Sequence, residues 1–382
     1  SMQSFVLTAA NFPALTQRFV LLAVDTERAE NAAFLAQLPV SVWPTFYVTN
    51  PDKEVLGRWL GTASAAQFSR FVSESDRSAE LRGSARLPPN DPRVPLAHAD
   101  ELATRGQFQQ AADSYARALA LAPADWPRRP ETLVAQIAAL TKAKAERACL
   151  ELAGAALEQT GSSVSSVDFS SYALACADAA PEGDALAARV RVAAEQQLRG
   201  VCEQAASELT PDDQADACAN LSEARTSLGN EAGAREAMQA RLAILERASA
   251  GKPDAVALAL DWALIDSLIA LGRAPEAVER AAQRERALPD NYNPPQYQAK
   301  AYKALGRYDD GLAALERALG LAYGPRRIGF LTLKADLLIG AGRKAEARQV
   351  VVDQLAQYRA LPAAQRQPAQ EARSEKRLAD WH

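Results

Sequence analysis

The spacing of apolar and polar residues changes near residue 95, which separates a mixed amino-terminal part from an all-helical remainder. Residues 3–18 predict a helix. Residues 19–24 form a continuous, partly β-branched apolar run, which is typical of a strand buried on both faces. Residues 27–38 predict a second helix, so a parallel α/β sheet is the expected arrangement.

Two further strands follow as a predicted hairpin. One ends at Val48 and the other covers residues 54–60, with turn residues at 50–53 between them. Ser64 is suited to cap a helix that extends to about residue 72. Residues 76–95, which hold four prolines among charges, predict a linker.

From residue 96 onward the apolar positions have a helical period. A glycine at a predicted inter-helix turn, followed by small and apolar residues at helix-contact spacing, recurs at Gly106, Gly229, Gly272, Gly306 and Gly342. The last three lie 34 and 36 residues apart. This layout resembles the tetratricopeptide repeat (TPR), whose period is about 34 residues. The resemblance implies an α-solenoid of stacked helix pairs.

The repeat register is loose between Gly106 and Gly229. Helices are predicted at 131–142, 145–158, 169–179 and 183–198, without clear repeat boundaries. Residues 361–382 predict a capping helix with a frayed tail. The expected domains are therefore 1–75 (α/β module), 76–95 (Pro-rich linker), 96–360 (TPR-like repeats) and 361–382 (cap).

Composition narrows the classes of partner. The net charge is −4 and no dense Lys/Arg run is present, so a nucleic-acid partner is not expected. No apolar stretch approaches the roughly 20 residues that a membrane span needs. With two histidines, no Gly-rich phosphate loop and no nucleotide fingerprint, the sequence offers no catalytic residue, cofactor site or metal site.

All four cysteines lie in the helical part: Cys149, Cys176, Cys202 and Cys218. They form no Cys-x-x-Cys pair, which argues against a zinc site. Cys202 and Cys218 could face each other across an antiparallel helix pair, which allows a disulfide. The alternative is that the cysteines are small, buried apolar side chains.

Residues 19–72 resemble the later half of a thioredoxin-like domain. The resemblance is carried by Val42, Trp43, Pro44 and Thr45, which precede the predicted hairpin. In that family the proline of this turn is cis and the backbone before it pairs with an extended peptide. The resemblance therefore implies a peptide-docking turn, and the alternative is a turn kept for the fold alone.

The family's reactive Cys-x-x-Cys has no counterpart here, because the first 148 residues contain no cysteine. Thiol exchange needs a thiolate of low pKa and a second thiol, so we expect a redox-inactive remnant. The alternative is a thiol-disulfide oxidoreductase whose Cys-x-x-Cys lies upstream. That alternative favours a periplasmic or secreted location over a cytoplasmic one. The incomplete sheet predicts an exposed edge that packs on the repeats or forms a homo-oligomer.

The outward side of each first helix is the other candidate surface. Counting back from the glycines places eight residues there: Glu223, Trp262, Asp266, Gln296, Lys300, Lys303, Thr332 and Asp336. An exposed tryptophan flanked by charges is typical of peptide-binding grooves, although a solvated face has the same pattern. The sequence therefore predicts a non-enzymatic protein-interaction scaffold that binds a protein or peptide partner.

Overall fold

The computed structural model describes residues 6–7, 13, 17–40, 42–84, 88, 90–161, 163–204 and 209–381. The predicted helix over residues 3–18 therefore lies mostly outside the described residues. The chain divides into two compact units. Unit 1 comprises 1–19 and 41–245, and unit 2 comprises 20–40 and 246–382. This division differs from the predicted one, since residues 20–40 belong with the carboxy-terminal helices.

The described residues contain 17 α-helices and one sheet of two strands. The strands are β1 (Thr45–Thr49) and β2 (Val55–Leu60), and short 3-10 helices cover Ala29–Asn31, Leu157–Thr160 and Ala363–Gln365. The α-helices are α1 (Ala32–Gln37), α2 (Ala65–Ser84), α3 (Arg93–Thr104), α4 (Phe108–Leu121), α5 (Arg129–Lys142), α6 (Glu146–Ala156), α7 (Val164–Asp178), α8 (Ala185–Glu203), α9 (Pro211–Ser227), α10 (Glu231–Ser249), α11 (Asp254–Ala270), α12 (Ala274–Ala287), α13 (Asn293–Ala304), α14 (Tyr308–Leu321), α15 (Gly324–Gly340), α16 (Lys344–Ala360) and α17 (Pro368–Ala379).

The predicted hairpin and the helix after it are confirmed. Strands β1 and β2 pair antiparallel, with Thr45 opposite Leu60. Ser64 starts α2 through a reciprocal pair of hydrogen bonds, because its Oγ accepts from the backbone of Gln67 and its own N–H donates to the Gln67 side chain. The helix continues to Ser84, into the predicted linker, since residues 73–82 include no glycine or proline to end it.

The predicted strand over residues 19–24 is wrong. The segment has no ladder partner, and the only sheet among the described residues is the β1–β2 pair. Val20 is 97% exposed and Leu22 is 70% exposed. An apolar run becomes a strand only where a neighbouring strand takes up its backbone hydrogen bonds. The expected parallel α/β arrangement is therefore reduced to an antiparallel hairpin and a helix.

The all-helical remainder is confirmed as a series of packed helices. In unit 1, each helix from α3 to α9 packs against the next, and in unit 2 the same holds from α11 to α17. Alternate helices also touch, as α5 does with α7 in unit 1 and α13 does with α11 and α15 in unit 2. This is how helical hairpins stack in a repeat array. No helix in the described part of the chain has both the length and the apolar character to cross a membrane.

The recurring glycines end helices in the way the repeat pattern predicts. At Gly306 the φ angle is +69°, its N–H donates to the carbonyl of Lys303 (3.1 Å), and the N–H of Arg307 donates to Tyr302 (3.0 Å). The same two bonds and a positive φ recur at four further turns: Gly106, Gly229, Gly272 and Gly342. This is the Schellman motif, which requires a left-handed residue. The backbone conformation of these turns therefore favours glycine.

One such turn lacks a glycine. Between α5 and α6, Lys144 has φ +56°, its N–H donates to Thr141 (3.1 Å), and the N–H of Ala145 donates to Leu140 (3.0 Å). The turn has the same geometry as the glycine turns. A pattern based on glycine therefore does not detect this repeat boundary. A lysine in the left-handed region costs about 1 kcal/mol relative to glycine.

The cysteines form two disulfides and are not unpaired apolar side chains. Cys149 of α6 bonds to Cys176 of α7, and Cys202 of α8 bonds to Cys218 of α9. All four side chains are buried and none is free. Each disulfide joins two consecutive helices of unit 1.

Candidate protein-interaction surfaces

The helices α11, α13 and α15 of unit 2 carry a row of ion pairs along one side. Asp266 pairs with Lys300 (3.7 Å), and Lys303 pairs with Asp336 (2.6 Å). Asp336 also accepts a hydrogen bond from Arg377 of α17 (2.7 Å). These pairs connect alternate helices of the stack, so the five side chains share one face. We call this set, together with Trp262, the ladder face.

Trp262 lies one helical turn before Asp266 on α11 and is 44% exposed. Gln296 and Thr332 occupy the corresponding positions on α13 and α15. Gln296 is buried, whereas Thr332 is exposed and accepts a hydrogen bond from Gln354 (2.7 Å). The seven predicted residues of unit 2 therefore follow one face, with Gln296 beneath its surface. Glu223 is exposed on α9 in unit 1.

The ion pairs of the ladder face are half-exposed, with Lys303 at 42% and Asp336 at 31% of side-chain area. Pairs of this kind contribute about 0–1 kcal/mol each, because water competes with them. They can therefore exchange partners at small cost in stability. An accessible indole beside exchangeable charges is the combination that binding hot spots use.

The predicted docking turn lies in unit 1. The Trp43–Pro44 peptide bond is cis, as the resemblance implied. Thr45 Oγ1 donates to the carbonyl of Val42 (2.6 Å), and the carbonyl of Pro44 accepts from the N–H of Gly61 (2.9 Å). Trp43 is 56% exposed. The accessible group of this turn is therefore the indole.

Val42 lines a cavity of about 10 Å³ with Leu60, Ala103 and Phe108. That volume is at the lower limit for a single water molecule. The hairpin thus packs closely on α3 and α4 at this side of the turn.

A buried polar cluster in unit 1 was not predicted. Asp100 of α3 accepts a hydrogen bond from Tyr115 Oη of α4 (2.7 Å). Arg70 of α2 donates to Glu131 of α5 (2.8 Å), and Glu131 also accepts from the side-chain amide of Gln67 (3.4 Å). Burial raises the pKa of Asp100 and of Tyr115. These polar residues lie at core positions on separate helices, where a pattern in one helix gives no signal for them.

The cavity beside this cluster measures about 20 Å³ and is lined in part by Arg58, Arg128 and Asp168. It has room for about one water molecule, which is far below the volume of a substrate pocket. The cluster is therefore a polar core that joins the hairpin and α2 to α3, α5 and α7.

Three carboxyl groups meet at the edge of that core. Burial, together with the nearby carboxylates of Asp213 and Asp216, raises the pKa of Asp168 to about 8. Partial burial and the neighbouring carboxylates of Asp212 and Asp213 raise the pKa of Asp216 to about 6, although Arg241 opposes this and the side chain is 44% exposed. A Cβ atom at Gly61 would lie 2.9 Å from Asp168 Oδ2, so the end of β2 touches this group. We therefore expect the packing of the hairpin on α7 to depend on pH.

No protein-family model matches the chain, and no curated protein matches it. It is similar to a solved tetratricopeptide repeat protein from Parabacteroides merdae, with 11% identity over 70% of this chain and 93% of that one, at a TM-score of 0.47. It is also similar to Acl4, an assembly chaperone of RpL4, with 16% identity over 76% of this chain and 98% of that one, at a TM-score of 0.35.

Proposed function

We propose that this chain is a non-enzymatic scaffold that binds a protein partner through the ladder face of unit 2. The observation that carries the proposal is the position of Trp262, half-exposed and one turn from the ion pairs that link α11, α13 and α15. A partner segment that lies across these helices would meet the indole first and the charges next. The fold supports the proposal because stacked hairpins present an extended surface.

The two kinds of side chain have different roles in this proposal. A tryptophan that becomes buried at an interface contributes about 2 kcal/mol or more to binding. Exposed charges such as Lys300 and Lys303 mainly set orientation and association rate. We therefore expect Trp262 to determine affinity and the lysines to determine which segments are accepted.

The proposal is tested by capture of partners with matched variants. The full chain is immobilised as the wild type, as Trp262→Ala with Lys303→Glu, and as the control Lys252→Glu, which changes an exposed lysine elsewhere in unit 2. We expect the wild type and the control to capture the same proteins, and we expect the double variant not to capture them. A purified partner should then bind the double variant at least 10-fold more weakly. Equal enrichment and equal affinity for all three chains would contradict the proposal.

We also propose that the hairpin and α2, within the predicted module of residues 1–75, are a remnant of a thioredoxin-like domain. The support is the cis Trp43–Pro44 bond, the antiparallel hairpin after it and the capped helix that follows Gly61. The four cysteines are all held in disulfides among α6 to α9, and no observation favours the oxidoreductase alternative. Homo-oligomer formation and the absence of nucleic-acid binding stay predictions.

A further inference from the structure

Residues 25–28, which we call the arm, lie against the carboxy-terminal helices within unit 2. The side-chain amide of Gln365 donates from Nε2 to two backbone carbonyls of the arm, those of Thr26 (3.0 Å) and Arg28 (2.9 Å). A contact of this kind recognises the path of a backbone and accepts any side chain at the bonded positions. The arm is therefore bound in the manner of a peptide ligand.

Two acidic side chains of the arm are recognised by charge and hydrogen bonding. Tyr323 Oη donates to Asp25 Oδ2 (2.6 Å), and Arg326 Nε donates to Glu27 Oε1 (2.9 Å). The guanidinium of Arg28 lies 4.9 Å from the centre of the Tyr323 ring. Burial raises the pKa of Asp25, but hydrogen bonds from Tyr323 and from the Glu27 backbone outweigh it and lower that pKa. The aspartate is thus bound as the anion.

The surface beneath the arm is shaped for close approach of a backbone. Gly324 has φ +53°, and a Cβ atom there would collide with the backbone oxygen of Glu27. Only glycine therefore permits both this conformation and this contact. We call Tyr323, Gly324, Arg326 and Gln365 the arm dock.

The arm leaves part of the arm dock unused. Gln365 is 5% exposed, and its Oε1 atom is buried without a hydrogen-bond partner among the described residues. An unsatisfied buried acceptor costs about 1–3 kcal/mol. A segment that places an N–H at this atom would bind more tightly than the arm does. The arm's charged contacts are also exposed, since half of the Arg326 side chain is accessible, so the arm can be displaced.

From these contacts we propose that the arm dock recognises an acidic Asp-x-Glu turn of a partner protein, and that residues 25–28 occupy it in the free chain as a tethered competitor. The arm dock shares no residue with the ladder face, so this goes beyond the proposed function. A tethered segment competes at an effective concentration in the millimolar range. The apparent affinity of a free ligand equals its intrinsic affinity multiplied by the fraction of molecules whose arm dock is open.

The experiment uses a fluorescent peptide of residues 21–31 as the probe and fluorescence anisotropy with the full chain. In one receptor, Asp25→Asn and Glu27→Gln weaken the arm and leave the dock intact. We expect this receptor to bind the probe at least 10-fold more tightly than the wild type. Adding Arg326→Glu to it should weaken binding at least 10-fold, because the Glu27 contact becomes repulsive.

Matched controls use the same arm-weakened receptor. Arg343→Glu makes the same charge change at another exposed site of unit 2, and it should leave binding unchanged. The pair Trp262→Ala and Lys303→Glu should also leave it unchanged, which separates this proposal from the one on the ladder face. A probe that carries Asp25→Lys and Glu27→Lys should not bind.

Three results would overturn the proposal. The first is an arm-weakened receptor that binds the probe no better than the wild type. The second is binding that survives Arg326→Glu. The third is a concentration-dependent dimer of the wild type that the arm substitutions abolish, since the occupant would then be a second copy of the chain.

Discussion

Consecutive helices are held together by different interactions in unit 1 and in unit 2. In unit 2 the turns that follow α11, α13 and α15 hold glycine, and a small residue five positions after the glycine lies where helices meet, as Gly311 does beside Leu337 of α15. In unit 1, Lys144 occupies one such turn, two disulfides join α6 to α7 and α8 to α9, and the pKa of Asp168 is raised to about 8.

The difference shows what a regular repeat supplies. Where every hairpin presents the same small residue to its neighbour, adjacent helices bury one continuous apolar face. Where the repeat is degenerate, other interactions hold consecutive helices together. Unit 1 combines disulfide bonds with a polar core. Its stability should therefore depend on reduction and on pH, to which unit 2 is less sensitive.

The largest expected effect comes from opening a disulfide of unit 1. Cys202 and Cys218 are 16 residues apart, and a loop of that length contributes about 3 kcal/mol when it is closed. In Cys202→Ser with Cys218→Ser we expect hydrogen exchange in α8 and α9 to become about 100-fold faster. Exchange in α13 and α14 of unit 2 should stay unchanged.

Reduction of the wild-type chain is the control, and it should reproduce the faster exchange in α8 and α9. A thiol titration of unfolded, unreduced protein should find no free cysteine. Four free thiols would contradict the pairing and remove this difference between the units.

The next effect is on pH dependence. The pKa of Asp168 is about 8 in the folded chain and near 3.8 when it is exposed. The folded state therefore holds a proton that the unfolded state releases, so stability is full below about pH 4 and is lost as pH rises through 8. In Asp168→Asn this loss should vanish, so unit 1 should be roughly 2 kcal/mol more stable than the wild type at pH 8.5, which is less than the full pKa shift would give because Asp168 is partly accessible to water.

The free energy of unfolding is measured in urea at pH 5 and pH 8.5. Hydrogen exchange in α7 at the same two pH values is the second measurement. Asp178→Asn is the matched control, since Asp178 is an exposed carboxylate on the same helix. It should keep the wild-type dependence on pH. Equal dependence in Asp168→Asn and the wild type would show that the buried carboxyl does not titrate in this range.

The smallest effect concerns the turn at Lys144. Lys144→Gly places the usual residue at a left-handed position and should stabilise unit 1 by about 0.5–1 kcal/mol. The reciprocal change in unit 2, Gly306→Ala, should destabilise by about 1 kcal/mol, although a Cβ atom there meets nothing within 4 Å. Thermal unfolding of both variants measures the two shifts. Shifts of the same sign would contradict a common turn geometry.

Much of the fold could be predicted because its signals are local. The Schellman glycines, the cap at Ser64 and the hairpin of β1 and β2 each depend on residues a few positions apart. The candidate residues of the ladder face followed from helical spacing alone. Lys144 escaped prediction because a lysine seldom takes a left-handed conformation, and nothing in its neighbours marks the exception.

The amino-acid order by itself determined which segments after residue 96 are helical, where glycine turns end them and which side of each is apolar, because those properties depend on backbone conformation and short-range periodicity. Only the tertiary structure decided that residues 19–24 form no strand, that Asp100 meets Tyr115, and that the arm reaches Gln365. Each of these depends on groups far apart in the chain. Their hydrogen bonds and their burial arise only once distant segments have packed together.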